Sequence, residues 1–93
     1  MITIEKLEEI FDDNEKNPYQ EKKIDHQIKA LTLLREKIPY EVCSGIITGA
    51  EHDQIYLCDI GDVVPYINED DAKVLAECYL FIDSDCHCLS MFA

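Results

Sequence analysis

The stretch EVCSGIITGAEHDQIYLCDI, residues 41–60, decides the fold, because the apolar pattern changes there from helical to strand-like spacing. Residues 41–48 are rich in β-branched side chains and predict a strand, and residues 54–60 predict the return strand. Residues 49–53 between them contain a glycine and polar residues that are typical of a turn. We therefore expect a β-hairpin with a loop of about five residues.

Two helices are predicted before this hairpin. Thr3 is a suitable N-cap for the first, and the apolar residues at positions 4, 7, 10 and 11 recur at helical spacing. The second helix is predicted to begin at Asn17 and Pro18 and to end before Pro39. We expect one apolar stripe to bury it, formed by Ile24, Ile28, Leu31, Leu34 and Ile38.

A third helix and a second hairpin are predicted after residue 60. Gly61 and Asp62 break the strand, and residues 63–67 form a connector. Asn68 caps a helix that ends near residues 77–78, and residues 79–83 and 86–92 form the last two strands. The order α-α-β-β-α-β-β predicts one α+β domain over residues 1–93. Its mostly antiparallel sheet has about four strands, with helices on one face.

The negative charge of the chain is unevenly distributed. The net charge is −12, from 20 acidic and 8 basic residues. Residues 38–93 contain eleven of the acids and a single base, Lys73, which leaves only −2 for residues 1–37. A surface this negative repels nucleic acid and anionic membranes and attracts basic proteins. Acidity also serves solubility alone in many small proteins.

The cysteines and histidines provide the only residues that suggest site chemistry. Five cysteines, an odd number without regular spacing, argue against a disulfide framework, and Cys43, Cys58 and Cys78 are interpreted as small core residues. The triplet Cys86-His87-Cys88 contains zinc-ligand types. In a strand, however, both cysteines would point inward and the histidine outward, so we expect no metal site and no cofactor.

No signature of catalysis or of nucleic-acid binding stands out. A cysteine nucleophile needs a nearby base. With three histidines and five cysteines in the chain, some histidine is expected to lie near a cysteine by chance, so this combination does not indicate catalysis and we expect no enzyme. The basic residues of the second helix are interrupted by acids, which is typical of a solvated helix face and not of a nucleic-acid interface. Those basic residues are Lys16, Lys22, Lys23, Lys29, Arg35 and Lys37.

The expected function is protein binding through the acidic half. We expect an inhibitor that blocks a basic, nucleic-acid-binding host enzyme, such as a phage or mobile-element anti-defence protein of the anti-CRISPR or DNA-mimic type. The alternatives are an immunity protein or antitoxin against a basic nuclease toxin, and a small adaptor domain. The predicted partner-binding residues lie in loops and at the start of the third helix: Glu51, Asp53, Asp59, Asp62, Glu69, Asp70, Asp71, Asp83 and Asp85.

Compartment and oligomeric state are also predicted. The chain has neither a long apolar stretch nor a basic start followed by one, so we expect a cytoplasmic protein without membrane contact. The last strand ends at Ala93, where an exposed sheet edge would allow a homodimer to bury Leu89, Met91 and Phe92. The high charge opposes self-association, and a monomer is favoured over this dimer.

Overall fold

The computed structural model describes residues 1–14 and 23–92, and within them the predicted α+β order is confirmed. Strands β1 to β4 form one sheet in the order β1-β2-β4-β3, and every pairing is antiparallel. The predicted start of the second helix at Asn17 and Pro18 lies outside the described residues. The elements are α1 Ile4–Asp13, α2 Lys23–Lys37, β1 Gly49–Glu51, β2 Gln54–Asp59, α3 Ile60–Val63, a 3₁₀ turn Val64–Tyr66, α4 Glu69–Glu77, β3 Phe81–Asp83 and β4 Cys88–Phe92.

Helix α1 forms as its local sequence predicts. The Thr3 hydroxyl accepts a hydrogen bond from the backbone N–H of Lys6 at 3.1 Å, which satisfies one of the unpaired donors of the first turn. Leu7, Ile10 and Phe11 are buried in the core, at the spacing of one helix face. The cap and the apolar stripe therefore agree on the start and orientation of this helix.

Helix α2 buries a different face from the predicted one. Ala30, Leu34 and Ile38 are buried and lie four residues apart. Ile24 and Ile28 are instead 63% and 57% exposed, so the predicted stripe is wrong at its N-terminal end. The predicted stripe follows the large apolar side chains, whereas the helix packs against the core through the small side chain of Ala30.

The first hairpin is shorter and tighter than predicted. Strand β1 contains only Gly49–Glu51, and residues 41–48 do not form the expected strand. The loop contains two residues, His52 and Asp53, with φ of 51° and 66°. Positive φ at both central positions is the requirement of a type I′ turn, whose twist matches that of the strands it joins.

The 39–48 loop is held mainly by side chains, and at its last residue the N–H of Thr48 also donates to the Tyr56 carbonyl of β2 at 2.8 Å. The Arg35 guanidinium donates hydrogen bonds to the carbonyls of Cys43 and Ser44 at 3.0 and 3.2 Å. A disulfide joins Cys43 to Cys58 in β2. The Arg35 hydrogen bonds satisfy backbone acceptors that a strand would pair across a sheet, and the β-branched residues here do not form a strand.

The region between the hairpins contains two helices. Strand β2 ends at Asp59, just before the predicted break at Gly61 and Asp62, and these two residues form part of α3, whose first turn is capped by Asp59. For α4 the predicted capping box is confirmed. The Asn68 side chain accepts from the backbone N–H of Asp71 at 2.8 Å, and the Asp71 carboxylate accepts from the N–H of Asn68 at 3.1 Å.

The last strand lies inside the sheet and not at its edge. Strand β4 pairs with β2 on one side and with β3 on the other, so the predicted exposed edge at the end of the chain is wrong. Leu89 and Met91 are already buried within the chain. The edges are β1 and β3, with three residues each. No helix in the described ranges combines the length and the apolar composition that a membrane crossing requires.

Candidate functional site

Four of the five cysteines line one surface pocket of about 540 Å³, which we call the cysteine pocket. Three separate segments bring them there. Cys43 comes from the 39–48 loop, Cys58 from β2, and Cys86 and Cys88 from the β3–β4 turn and the start of β4. Tyr56, Asp59 and Asp62 line the same pocket.

A disulfide occupies one side of the cysteine pocket. Cys43 and Cys58 are joined, with Cα atoms 6.7 Å apart and a sequence separation of 15. Cys58 lies in the core as predicted, 1% exposed, but the expectation of no disulfide is wrong for this pair, because the 39–48 loop folds back on β2 and brings Cys43 to Cys58. Cys78, at the end of α4, is buried and unpaired, and burial raises the pKa of its thiol.

The triplet 86–88 does not have the strand geometry expected of it. Cys86 and His87 lie in the β3–β4 turn, and His87 has φ of 56°. Cys86 is exposed instead of pointing inward, whereas Cys88 is buried with its Sγ 3.7 Å from the Ser90 hydroxyl. His87 Nδ1 lies 3.3 Å from both carboxylate oxygens of Asp59.

The pKa values of two pocket residues, Cys86 and Tyr56, are raised, which favours their neutral forms. Burial raises the pKa of the Cys86 thiol, and the charges of Asp83 and Asp85 raise it further. Burial likewise raises the pKa of Tyr56, with contributions from Cys86 and Glu51. The carboxylates around the pocket therefore act on the thiol and the phenol at its centre.

Six of the nine predicted acids lie at the ends of the sheet strands, and we call them the sheet-end acids: Asp59, Asp62, Asp83 and Asp85 at the end where β4 begins, and Glu51 and Asp53 in and beside the β1–β2 turn at the opposite end. Among the described residues no lysine or arginine forms an ion pair with any of them. Two of them lie beside histidines, with His52 Nε2 3.2 Å from Glu51 and His87 Nδ1 3.3 Å from Asp59.

The other three predicted acids lie at the start of α4, and two of them line a different pocket. Glu69 and Asp70 lie beside Met1, Thr3 and Lys6. Lys6 Nζ is 3.5 Å from Glu69, and Lys37 Nζ is 3.7 Å from Asp71, which also completes the capping box. The acids of α4 are thus largely compensated by cations or by the helix end.

Two sheet-end acids also shape the backbone around the pocket. Asp83 accepts hydrogen bonds from the backbone N–H groups of Asp85 and Cys86, at 3.0 and 3.2 Å, and from the Gln54 amide at 2.7 Å. The Gln54 and backbone bonds hold the pKa of the Asp83 carboxyl below its ordinary value. Asp59 accepts from the N–H of Gly61 at 2.8 Å. The remaining sheet-end acids are exposed side chains of turns and short elements.

The histidines, cysteines and acids of the described residues do not come together as the ligands of a metal ion. They contain no group of three or more histidine, cysteine or acidic side chains that could hold a metal ion. The described histidines contact acids or a tyrosine ring: His52 and His87 as above, and His26 with its ring centroid 4.9 Å from that of Tyr79.

No protein-family model, curated protein or solved structure matches the chain. Function is therefore inferred from the geometry of these residues.

Proposed function

We propose that the protein is a cytoplasmic acidic binding protein that engages a basic, nucleic-acid-binding protein through the sheet-end acids. One observation supports this proposal most directly. The sheet-end acids have no lysine or arginine partner among the described residues, whereas Glu69 and Asp71 of α4 each have one. Uncompensated carboxylates produce a negative potential that speeds the approach of a basic surface and favours its binding.

The partner class follows from the chemistry of carboxylates. A groove that binds nucleic acid presents lysine and arginine to phosphates, and carboxylates can occupy those phosphate positions. A protein of this kind inhibits by competing with the nucleic acid. The anti-defence inhibitor expected from the sequence fits this description, and an immunity protein against a nuclease would use the same surface.

Apolar side chains beside the acids provide contact area that charge alone does not supply. Tyr40, Val42 and Ile47 of the 39–48 loop are exposed, and Val42 lines the cysteine pocket. Interfaces typically derive most of their binding energy from a few buried apolar or aromatic contacts, surrounded by a polar rim. An apolar loop next to a charged rim has both components.

The test compares two triple variants with the same change in net charge. The first neutralises exposed sheet-end acids: Asp53→Asn, Asp62→Asn and Asp85→Asn. The control neutralises exposed acids in the last turns of α1, α2 and α4: Asp13→Asn, Glu36→Gln and Glu77→Gln. Both changes raise the formal net charge by three. Each protein is immobilised, and proteins retained from a lysate of the native host are identified.

The identified protein is then purified and titrated with each variant at several salt concentrations and with competing DNA. We expect the sheet-end variant to bind more weakly and with a smaller dependence on salt, the control to bind like the wild type, and DNA to compete. Equal binding by the two variants would contradict the assigned surface. Binding that DNA does not displace would contradict the assigned partner class.

A further inference from the structure

The cysteine pocket contains a disulfide and two free thiols at the same place. Cys43 and Cys58 form the disulfide, and Cys86 and Cys88 are free. All four residues line the pocket, although they come from segments that are up to 45 residues apart in sequence. Binding of a basic partner does not require this arrangement.

We propose that the cysteine pocket is a thiol–disulfide exchange site, in which Cys86 attacks the disulfide between Cys43 and Cys58. The thiolate sulfur of Cys86 forms a bond to Cys43 Sγ while the bond from Cys43 to Cys58 breaks. The proton that leaves Cys86 ends on the Cys58 sulfur. One disulfide replaces another, so the step needs neither an oxidant nor a reductant.

Burial selects the reacting sulfurs. Cys86 is the exposed free thiol of the pocket, whereas Cys88 is buried. Within the disulfide, Cys43 is half-buried in the loop, while Cys58 is 1% exposed in β2. Exchange depends on access to the sulfur that is attacked, so Cys43 is the electrophile and Cys58 the leaving group.

The groups around Cys86 predict that exchange accelerates as pH rises. Only the thiolate attacks, and burial together with Asp83, Cys88 and Asp85 raises the pKa of Cys86 above its ordinary value. The other ionisable groups that line the pocket are Tyr56, Asp59 and Asp62, none of which is positive. Exchange is consequently slow at neutral pH.

Exchange would move the tether of the 39–48 loop from one element to another. In the described form, the disulfide anchors this loop to β2. After exchange, Cys43 is attached to the β3–β4 turn, between the exposed apolar residues of the loop and the acids of that turn. The inference does not depend on the proposed partner, because both forms belong to the isolated chain.

Disulfide mapping tests the exchange in the whole protein. Wild type is incubated at pH 7 and pH 9 without added thiol, quenched with acid, alkylated and digested, and the linked peptides are identified by mass spectrometry. We expect the pair of Cys43 and Cys86 beside the original pair, in a larger fraction at pH 9. The variant Cys86→Ser should lose the new pair and keep the original one, and the control Cys78→Ser should behave like wild type.

A trapping variant tests separately whether the Cys43 and Cys86 sulfurs can meet. Cys58→Ser leaves Cys43 free, and oxidation of this variant with oxidised glutathione should join Cys43 to Cys86 as the main product. Circular dichroism verifies that the variant is folded. The proposal is overturned if wild type retains only the original pair at pH 9, or if trapped Cys43 links to Cys78 as often as to Cys86.

Discussion

Two substitutions on α2 distinguish the face that this helix buries from the face that its large side chains suggest. Leu34 is fully buried in the core, and truncation to alanine at such a site costs about 2–5 kcal/mol, since the lost transfer energy adds to that of the cavity. Ile28 is 57% exposed. Complete burial of an isoleucine contributes about 1.5–3 kcal/mol to the free energy of unfolding, so truncation of Ile28 removes less than half of that, roughly 1 kcal/mol. Alanine is also the better helix former by a few tenths of a kcal/mol, which offsets part of this loss.

We therefore expect Leu34→Ala to destabilise the fold by at least about 2 kcal/mol. Ile28→Ala should cost less than about 1 kcal/mol. Urea unfolding followed by circular dichroism measures both, and Leu34→Ala should also lower the melting temperature by roughly 10 °C or more. The matched control is Ile24→Ala, at the other exposed isoleucine, which should behave like Ile28→Ala. Equal losses for Leu34→Ala and Ile28→Ala would refute the described orientation of α2.

Three further predictions concern caps and charges. Asn68→Ala removes the capping box of α4 and should cost about 1 kcal/mol in urea unfolding, while Asn68→Asp should retain most of the stability. Asp83 has a lowered pKa in the folded state, so its charge stabilises the fold above its ordinary pKa of 3.8, and this contribution is lost as pH falls through the folded value. Acid unfolding should therefore show a smaller loss of stability below about pH 4 for Asp83→Asn than for wild type. Asp85→Asn should lower the pKa of Cys86 and speed its alkylation by iodoacetamide at pH 7.5, whereas Asp53→Asn should leave the rate unchanged; equal rates would show that Asp85 does not act on this thiol.

The parts of the fold that the sequence predicts correctly depend on signals within a few residues. Thr3 and Asn68 each place a cap next to an apolar stripe, so α1 and α4 begin where expected. Helix α2 has an apolar residue on nearly every side, and its buried face is decided by whether Ala30 or Ile28 fits the neighbouring elements. That decision depends on packing between distant segments, which a single periodic pattern does not contain.

The 39–48 loop shows a second reason for error. Its β-branched residues favour a strand, but the carbonyls of Cys43 and Ser44 are bound by Arg35, a residue assigned from sequence to a solvated basic face. Propensity for a strand is weak beside such contacts. The disulfide to Cys58 forms because the same loop folds back on β2. A strand predicted at residues 41–48 excludes this arrangement, so the cysteine pocket could not be predicted either.

Only one feature of the candidate site, its excess of acidic residues, can be predicted from the sequence. Charge is additive along the chain, and the acidic character of residues 38–93 can be read directly. Which acids remain uncompensated depends on where the few cations lie. Lys6 and Lys37 come from the helical half and reach Glu69 and Asp71, whereas no lysine or arginine within the described part of the chain pairs with the sheet-end acids.

Charge and thiol chemistry meet at the β3–β4 turn. Asp83 and Asp85 belong to the proposed docking surface, and the same two charges raise the pKa of Cys86. A basic partner that neutralises them stabilises the Cys86 thiolate, which is the form that attacks a disulfide. Thermodynamic linkage requires the reverse as well, so the thiolate form binds such a partner more tightly than the thiol form does. Partner binding and exchange at the cysteine pocket would therefore reinforce each other, although each is tested separately.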